Sequence, residues 1–174
     1  MTPQDSSDGQ NILVTAASKH GSTAEISERI AGVLTSAGMR VTHADSAHIG
    51  DLAGYQAVVL GSAVYAGHWL DPAKRLAAQI GNLDPKPAVW LFSSGPIGDP
   101  PKPEEDPVDV AEIQAQTEAR DHRVFAGKLD KSKLGFGERA IVVAVRAAEG
   151  DFRDWSEIED WARGIAEALA PTRQ

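Results

Sequence analysis

Three short apolar runs recur along the chain: Ile12-Leu13-Val14 ending on Thr15-Ala16-Ala17, Ala57-Val58-Val59-Leu60 ending on Gly61-Ser62, and Ala88-Val89-Trp90-Leu91-Phe92 ending on Ser93-Ser94. None alternates polar with apolar residues, so neither side of such a strand suits water, and each reads as a strand buried on both faces. Helical spacing intervenes. Ser22 with Glu25 forms a capping box, and Ile26, Ile30, Val33, Leu34 and Ala37 follow at helical intervals until Gly38. Arg40 to Ala44 reads as a strand, Ala63 to Trp69 as a loop, and Pro72 to Ile80 as a helix with Pro72 in its first turn. A short helix is predicted over Val108 to Ala119, a strand over His122 to Ala126, and a last helix capped by Asp154 with Glu157, whose stripe is Trp155, Ile158, Ala162, Ile165 and Leu169. Strands alternating with helices form a parallel sheet covered on both faces, an α/β fold.

The 174 residues suffice for one domain, taken as 11–170, behind a polar, disordered tail at 1–10 that has neither the cationic start nor the apolar centre of a secretion signal. Five prolines between Gly95 and Pro107 make that stretch a stiff surface loop. Residues 131–147 fit a strand or a helix equally well. A formal charge of -8, with no cluster of basic residues, disfavours nucleic acid and anionic membranes. No run of about 18 apolar residues is present to span a membrane. The chain has no cysteine, which excludes disulfides, thiolate metal sites and cysteine nucleophiles and fits a cytoplasmic location. The five histidines and the carboxylates show no ligand spacing for a metal.

Three small-residue loops follow the apolar strands. In Ser18-Lys19-His20-Gly21-Ser22-Thr23, the hydroxyls and the N–H groups opening a helix are suited to a phosphate, and Gly21 permits close approach; the same residues would also make an ordinary capped turn. Neither G-x-x-x-x-G-K-[ST] nor G-x-G-x-x-G occurs, so the anion expected is a monophosphate. Ser62-Ala63-Val64-Tyr65-Ala66-Gly67 and Ser93-Ser94-Gly95-Pro96-Ile97-Gly98 are the other two loops. In an open doubly wound sheet, ligands bind at the carboxyl ends of strands, which brings all three loops to one crevice. Tyr65 and Trp69 are either packed aromatics or neighbours of a planar ring, and His20 and His68 are either surface residues or proton carriers. Trp90 and Phe92 belong to the core.

The pattern Ser18-x-x-Gly21-x-Thr23, the loop Gly61 to Gly67 and the Asp154-Trp155 helix start together resemble the flavodoxin superfamily, over roughly residues 11 to 170. Within it the chain is similar to flavodoxin-domain proteins of the menaquinone-dependent protoporphyrinogen dehydrogenase group. The resemblance implies a three-layer α/β/α sandwich with a five-stranded parallel sheet of order 2-1-3-4-5. It also implies noncovalent FMN, with its phosphate in the 18–23 loop and its ring between the 62–67 and 93–98 loops. The implied function is an FMN-dependent oxidoreductase with a small-molecule or protein redox partner. The alternative is an electron carrier whose negative charge docks a basic partner.

Two segments depart from the related patterns. The loop from Gly95 to Pro101 lacks the flanking pattern of electron-carrying flavodoxins, and Lys128 to Arg146 is less basic and less aromatic than the matching insertion of the haem-synthesis enzyme. A phosphoreceiver would need acidic residues where Ala16, Ala17 and Ser62 stand.

Overall fold

The computed structural model describes residues 11–18, 21–52, 54–65, 68–95, 109–126, 128–129, 150–151 and 153–170. The predicted buried strands become β1 (Asn11–Ala17), β3 (Ala57–Tyr65) and β5 (Ala88–Ser94), joined in one sheet by β2 (Arg40–Asp45), the short β4 (His68–Trp69) and β6 (Asp121–Phe125). The parallel strands run in the order β2-β1-β3-β5-β6, the expected 2-1-3-4-5, with β4 antiparallel to β3. Register is continuous across the centre: Leu13 pairs with Val58 and Val58 with Val89. Two short strands, β7 (Lys128–Leu129) and β8 (Gly150–Asp151), pair separately.

Helices α1 (Ser22–Ser36), α2 (Asp71–Gly81), α3 (Val110–Thr117) and α4 (Trp155–Leu169) cover the sheet. Because successive strand residues face opposite ways, each apolar run supplies both layers. Ile12, Val14, Val59, Trp90 and Phe92 pack with α1 and α4; Leu13, Val58, Leu60, Val89 and Leu91 pack with α2 and α3. Burying one such side chain contributes about 1.5–3 kcal/mol. The expected α4 stripe is buried at Ile158, Ala162, Ile165 and Leu169, and Trp161 joins it unforeseen. Its ring meets Phe92 and Phe125 at centroid distances of 6.1 and 5.5 Å, while its indole N–H donates to Asp121 at 2.9 Å.

Local signals succeed at two helix ends and fail at a third. Gly38, at φ 91°, ends α1 in a Schellman arrangement, with Met39 N–H bonded to the Leu34 carbonyl at 3.2 Å and Gly38 N–H to Thr35 at 3.0 Å. Asp154 caps α4 by accepting from Glu157 N–H at 3.1 Å. The capping box expected at Ser22 does not form. Gly21, at φ 91°, is the residue that precedes α1 and has no side chain to cap with, so Ser22 falls inside the first turn and the Glu25 carboxylate turns to Arg153. The segment expected as a loop from Ala63 is also more regular: β3 runs on to Tyr65 and returns as β4, with Val64 paired to Trp69. The tail 1–10 and the region 131–147 lie outside the described residues.

Candidate functional site

The carboxyl ends of β1, β3 and β5 lie side by side, with Ala17 opposite Ser62 and Ala63 opposite Ser94. At the first end, Gly21 N–H donates to Ser18 Oγ at 3.0 Å and shapes the turn into α1. The first helical bond runs from Glu25 N–H to Gly21 at 3.0 Å, which leaves the N–H groups of Ser22, Thr23 and Ala24 without partners inside the helix. Among the described residues nothing lies within 4 Å of where a Gly21 Cβ would be, although its positive φ disfavours other residues. Ser22 Oγ is buried and meets no hydrogen-bond partner among the described residues. Thr15 and Ser46 share that condition; Ser46 opens only the three-residue 3-10 turn Ser46–His48, and Ser22 alone of the three opens an α-helix. Thr23 is buried beside it, whereas Lys19 and His20 lie outside the described residues.

The second and third ends are held by each other. Ser62 Oγ accepts from Leu70 N–H at 2.9 Å and donates to the Ala63 carbonyl at 2.8 Å. The Trp69 indole N–H donates to Ser93 Oγ at 2.8 Å, and that oxygen is also hydrogen-bonded to His122 Nε2 at 2.8 Å. The hydroxyls of Ser62 and Ser93 are therefore fully buried braces, and Trp69, 2% exposed, is a packed aromatic rather than a ring neighbour at the surface. Ala63 and Val64 are half-buried, Ser94 is buried, and Gly95, at φ 92°, donates to the Phe125 carbonyl at 3.0 Å. A Cβ on Gly95 would stand 4.0 Å from the Val64 carbonyl, so the two loops converge there. Tyr65 is placed by its backbone alone, and Ala66, Gly67, Pro96, Ile97 and Gly98 lie outside the described residues.

Two charged residues that the sequence reading passed over brace the same edge. Asp109 accepts from Trp69 N–H at 3.0 Å and pairs with His68 Nδ1 at 3.2 Å and Lys74 at 3.7 Å. Burial alone would raise its pKa, but the bonds from His68 and Trp69 and the charge of Lys74 outweigh burial and hold the carboxyl below its usual value. The Arg153 side chain is 4% exposed and forks onto Asp151, which raises its pKa against the opposing effect of burial. No sequence signal marks its nearness to the first loop, which lies 131 residues away along the chain.

A groove of about 1020 Å³ lies elsewhere, between α1 and α4, lined by Arg29, Val33, Trp155 and Arg163 among others. Its lining includes none of the three loops. Among the described residues no group of His, Asp and Glu is arranged to hold a metal, and no helix is long and apolar enough to cross a membrane.

The family model described as "Flavodoxin domain" matches residues 13–156. The chain belongs to the flavodoxin domain family. Solved structures agree on the fold. A flavodoxin from the domain Archaea superposes with a TM-score of 0.64 at 17% identity, covering 92% of this chain and 99% of that one. Flavodoxin 1 from Bacillus cereus gives 0.63 at 14% identity, over 92% and 100%. The rubredoxin oxygen:oxidoreductase of Desulfovibrio gigas gives 0.60 at 16% identity, over 93% of this chain and 37% of its own. No curated protein matches the chain in sequence.

Proposed function

We propose that this flavodoxin domain binds FMN noncovalently and acts as an FMN-dependent oxidoreductase. The observation that carries the reading is the buried Ser22 Oγ, unpartnered among the described residues, at the start of α1, beside N–H groups that the helix leaves open. A phosphate seated there would satisfy both, with the positive end of the helix dipole behind it. Domains of this family typically carry FMN. Ser18, Lys19, His20, Gly21, Ser22 and Thr23 would hold the phosphate; the loops 62–67 and 93–98 would flank the ring. Bound FMN supplies reversible electron or hydride transfer at its ring. The chain's own part is to bind, orient and shield it: Ala63, Val64 and Gly95 present small and apolar surface where β3 and β5 meet.

The test begins with the absorbance spectrum of the purified protein. Flavin bands, native or gained on incubation with excess FMN, are expected, and a chain that stays colourless refutes the reading. Rapid mixing of the loaded protein with protoporphyrinogen IX, quinones and reduced nicotinamides then identifies the partner. Protoporphyrinogen leads because the sequence resembles the dehydrogenase group, and multi-turnover oxidation is the expected result.

The charge of -8 favours a second reading, an electron carrier that docks a basic protein. Its transfer rates would fall steeply with added salt, because exposed charges steer such encounters. Rates indifferent to salt would remove it.

A further inference from the structure

Beside the first loop sits a buried cation for which the flavin reading has no role. Arg153 lies two residues ahead of α4, and its Nε and Nη2 grip the Asp151 carboxylate at 2.9 and 2.8 Å. The remaining Nη1 donates to the Ser22 carbonyl at 3.3 Å and stands 3.5 Å from the Glu25 carboxylate. The guanidinium also lies 4.6 Å above the Trp155 ring. One side chain thus ties the first residue of α1 to the segment before α4, 131 residues away. Burying a cation costs free energy that only good partners offset, so the arrangement calls for an account.

We propose that Arg153 is the positioning residue of the phosphate loop: it fixes Ser22 in place and offsets part of the negative charge of Glu25 and Asp151, so that the start of α1 accepts a dianionic phosphate. The proposal rests on the FMN reading above. Glu25 occupies the first turn of α1, where a carboxylate and a bound phosphate draw on the same positive helix end and repel each other. With Arg153 present, each carboxylate faces a cation. Without it, the carboxylates bordering the loop go from partly offset to fully unbalanced and Ser22 loses the bond that sets its carbonyl. The flavin ring, at the other loops, does not sense this change directly. Arg153 therefore governs affinity for the phosphate and leaves affinity for the ring alone.

Riboflavin carries the same ring without the phosphate, which makes the ratio of FMN to riboflavin affinity the readout. Quenching of flavin fluorescence measures both for the wild type, Arg153→Met and Glu25→Gln. Arg153→Met is expected to weaken FMN by roughly tenfold or more, equivalent to about 1.4 kcal/mol, with riboflavin within about twofold of the wild type. Added salt narrows the FMN loss by screening the carboxylates. Glu25→Gln, at a half-exposed side chain, keeps the fold and shifts the ratio in favour of FMN.

Equal losses for both flavins in folded Arg153→Met, or an unchanged ratio in Glu25→Gln, overturn the proposal. If circular dichroism shows Arg153→Met unfolded, the Glu25→Gln ratio decides alone. A wild type that binds neither flavin overturns the FMN reading and this one with it; a wild type that binds FMN beside variants with unchanged ratios overturns this one only.

Discussion

Replacing Gly61 with alanine tests whether the central strand is packed as tightly as the structure shows. Gly61 sits in β3 opposite Phe92 of β5, and a Cβ added there would lie 2.1 Å from Phe92 Cζ, 2.3 Å from Cε1 and 2.4 Å from Cε2. Carbon atoms in good contact stand ~3.5–4.0 Å apart, so the ring must withdraw by about 1.4 Å or more. It has nowhere easy to go: Phe92 is fully buried, with Phe125 and Trp161 each at a centroid distance of 6.1 Å. Overpacking of this kind costs roughly 1–3 kcal/mol, and the gain of about 0.5–1 kcal/mol from replacing a strand glycine offsets only part of it. A net loss of about 1–1.5 kcal/mol is expected, or about 2–6 °C in melting temperature for a domain of this size. Urea denaturation of the wild type, Gly61→Ala, Phe92→Leu and the double variant isolates the clash. Shortening Phe92 should abolish the cost of the alanine, giving a coupling of about 2 kcal/mol. Gly61→Ala within about 0.5 kcal/mol of wild type, or single effects that merely add, would refute the packing argument.

Ser22→Ala should leave the stability of the flavin-free protein unchanged or raise it, because the hydroxyl has no partner among the described residues, while weakening FMN about tenfold; melting curves with and without FMN check both halves. Asp154→Ala should destabilise by about 1 kcal/mol, visible as a lower urea midpoint with an unchanged slope, through loss of the α4 cap. Asp109 has a folded pKa below its ordinary 3.8, so its contribution is complete above that value and is lost as pH falls through the lower, folded one. The stability gap between wild type and Asp109→Asn should accordingly be present at about pH 5 and close as the pH falls below about 4; a gap that widens over that acid range contradicts the assigned direction.

The sheet was legible because its strands carry apolar residues on both sides: Leu13 and Val14 face opposite layers, and so do Leu91 and Phe92. No half-exposed strand would tolerate that composition. The C-terminus of α1 was legible because Gly38 takes a left-handed conformation that few other residues adopt readily. Ser22 misled for a related reason. The same kind of left-handed glycine, Gly21, stands just before it, and a serine-to-glutamate spacing cannot reveal that the helix begins one residue earlier than the capping pattern assumes. Glu25 then finds Arg153, a partner that only the folded topology supplies. The extra strand β4 escaped because two residues are too few to show alternation, and Trp161 escaped because a tryptophan beside acidic residues looks like surface until Asp121 takes its N–H.

The three loops differ in what they leave available to a ligand. At Ser62 and Ser93 the hydroxyls are consumed by Leu70, Trp69 and His122, so these serines hold the β3–β4 hairpin against β5. Asp109, the residue just before α3, fixes the same hairpin through Trp69 N–H. What remains on that side, among the described residues, is backbone and the small apolar surface of Ala63, Val64 and Gly95. At Ser22 the opposite holds, since the buried hydroxyl has no partner among the described residues and the adjoining N–H groups have none inside the helix, while Arg153 occupies the carbonyl behind them. Among the described residues one end of the edge thus carries polar groups without partners, and the other presents apolar surface braced from behind. Under the FMN reading these ends meet a phosphate and a planar ring respectively. Affinity is then set largely at the first loop, and the ring's electronic environment by backbone groups whose placement depends on the braces behind them.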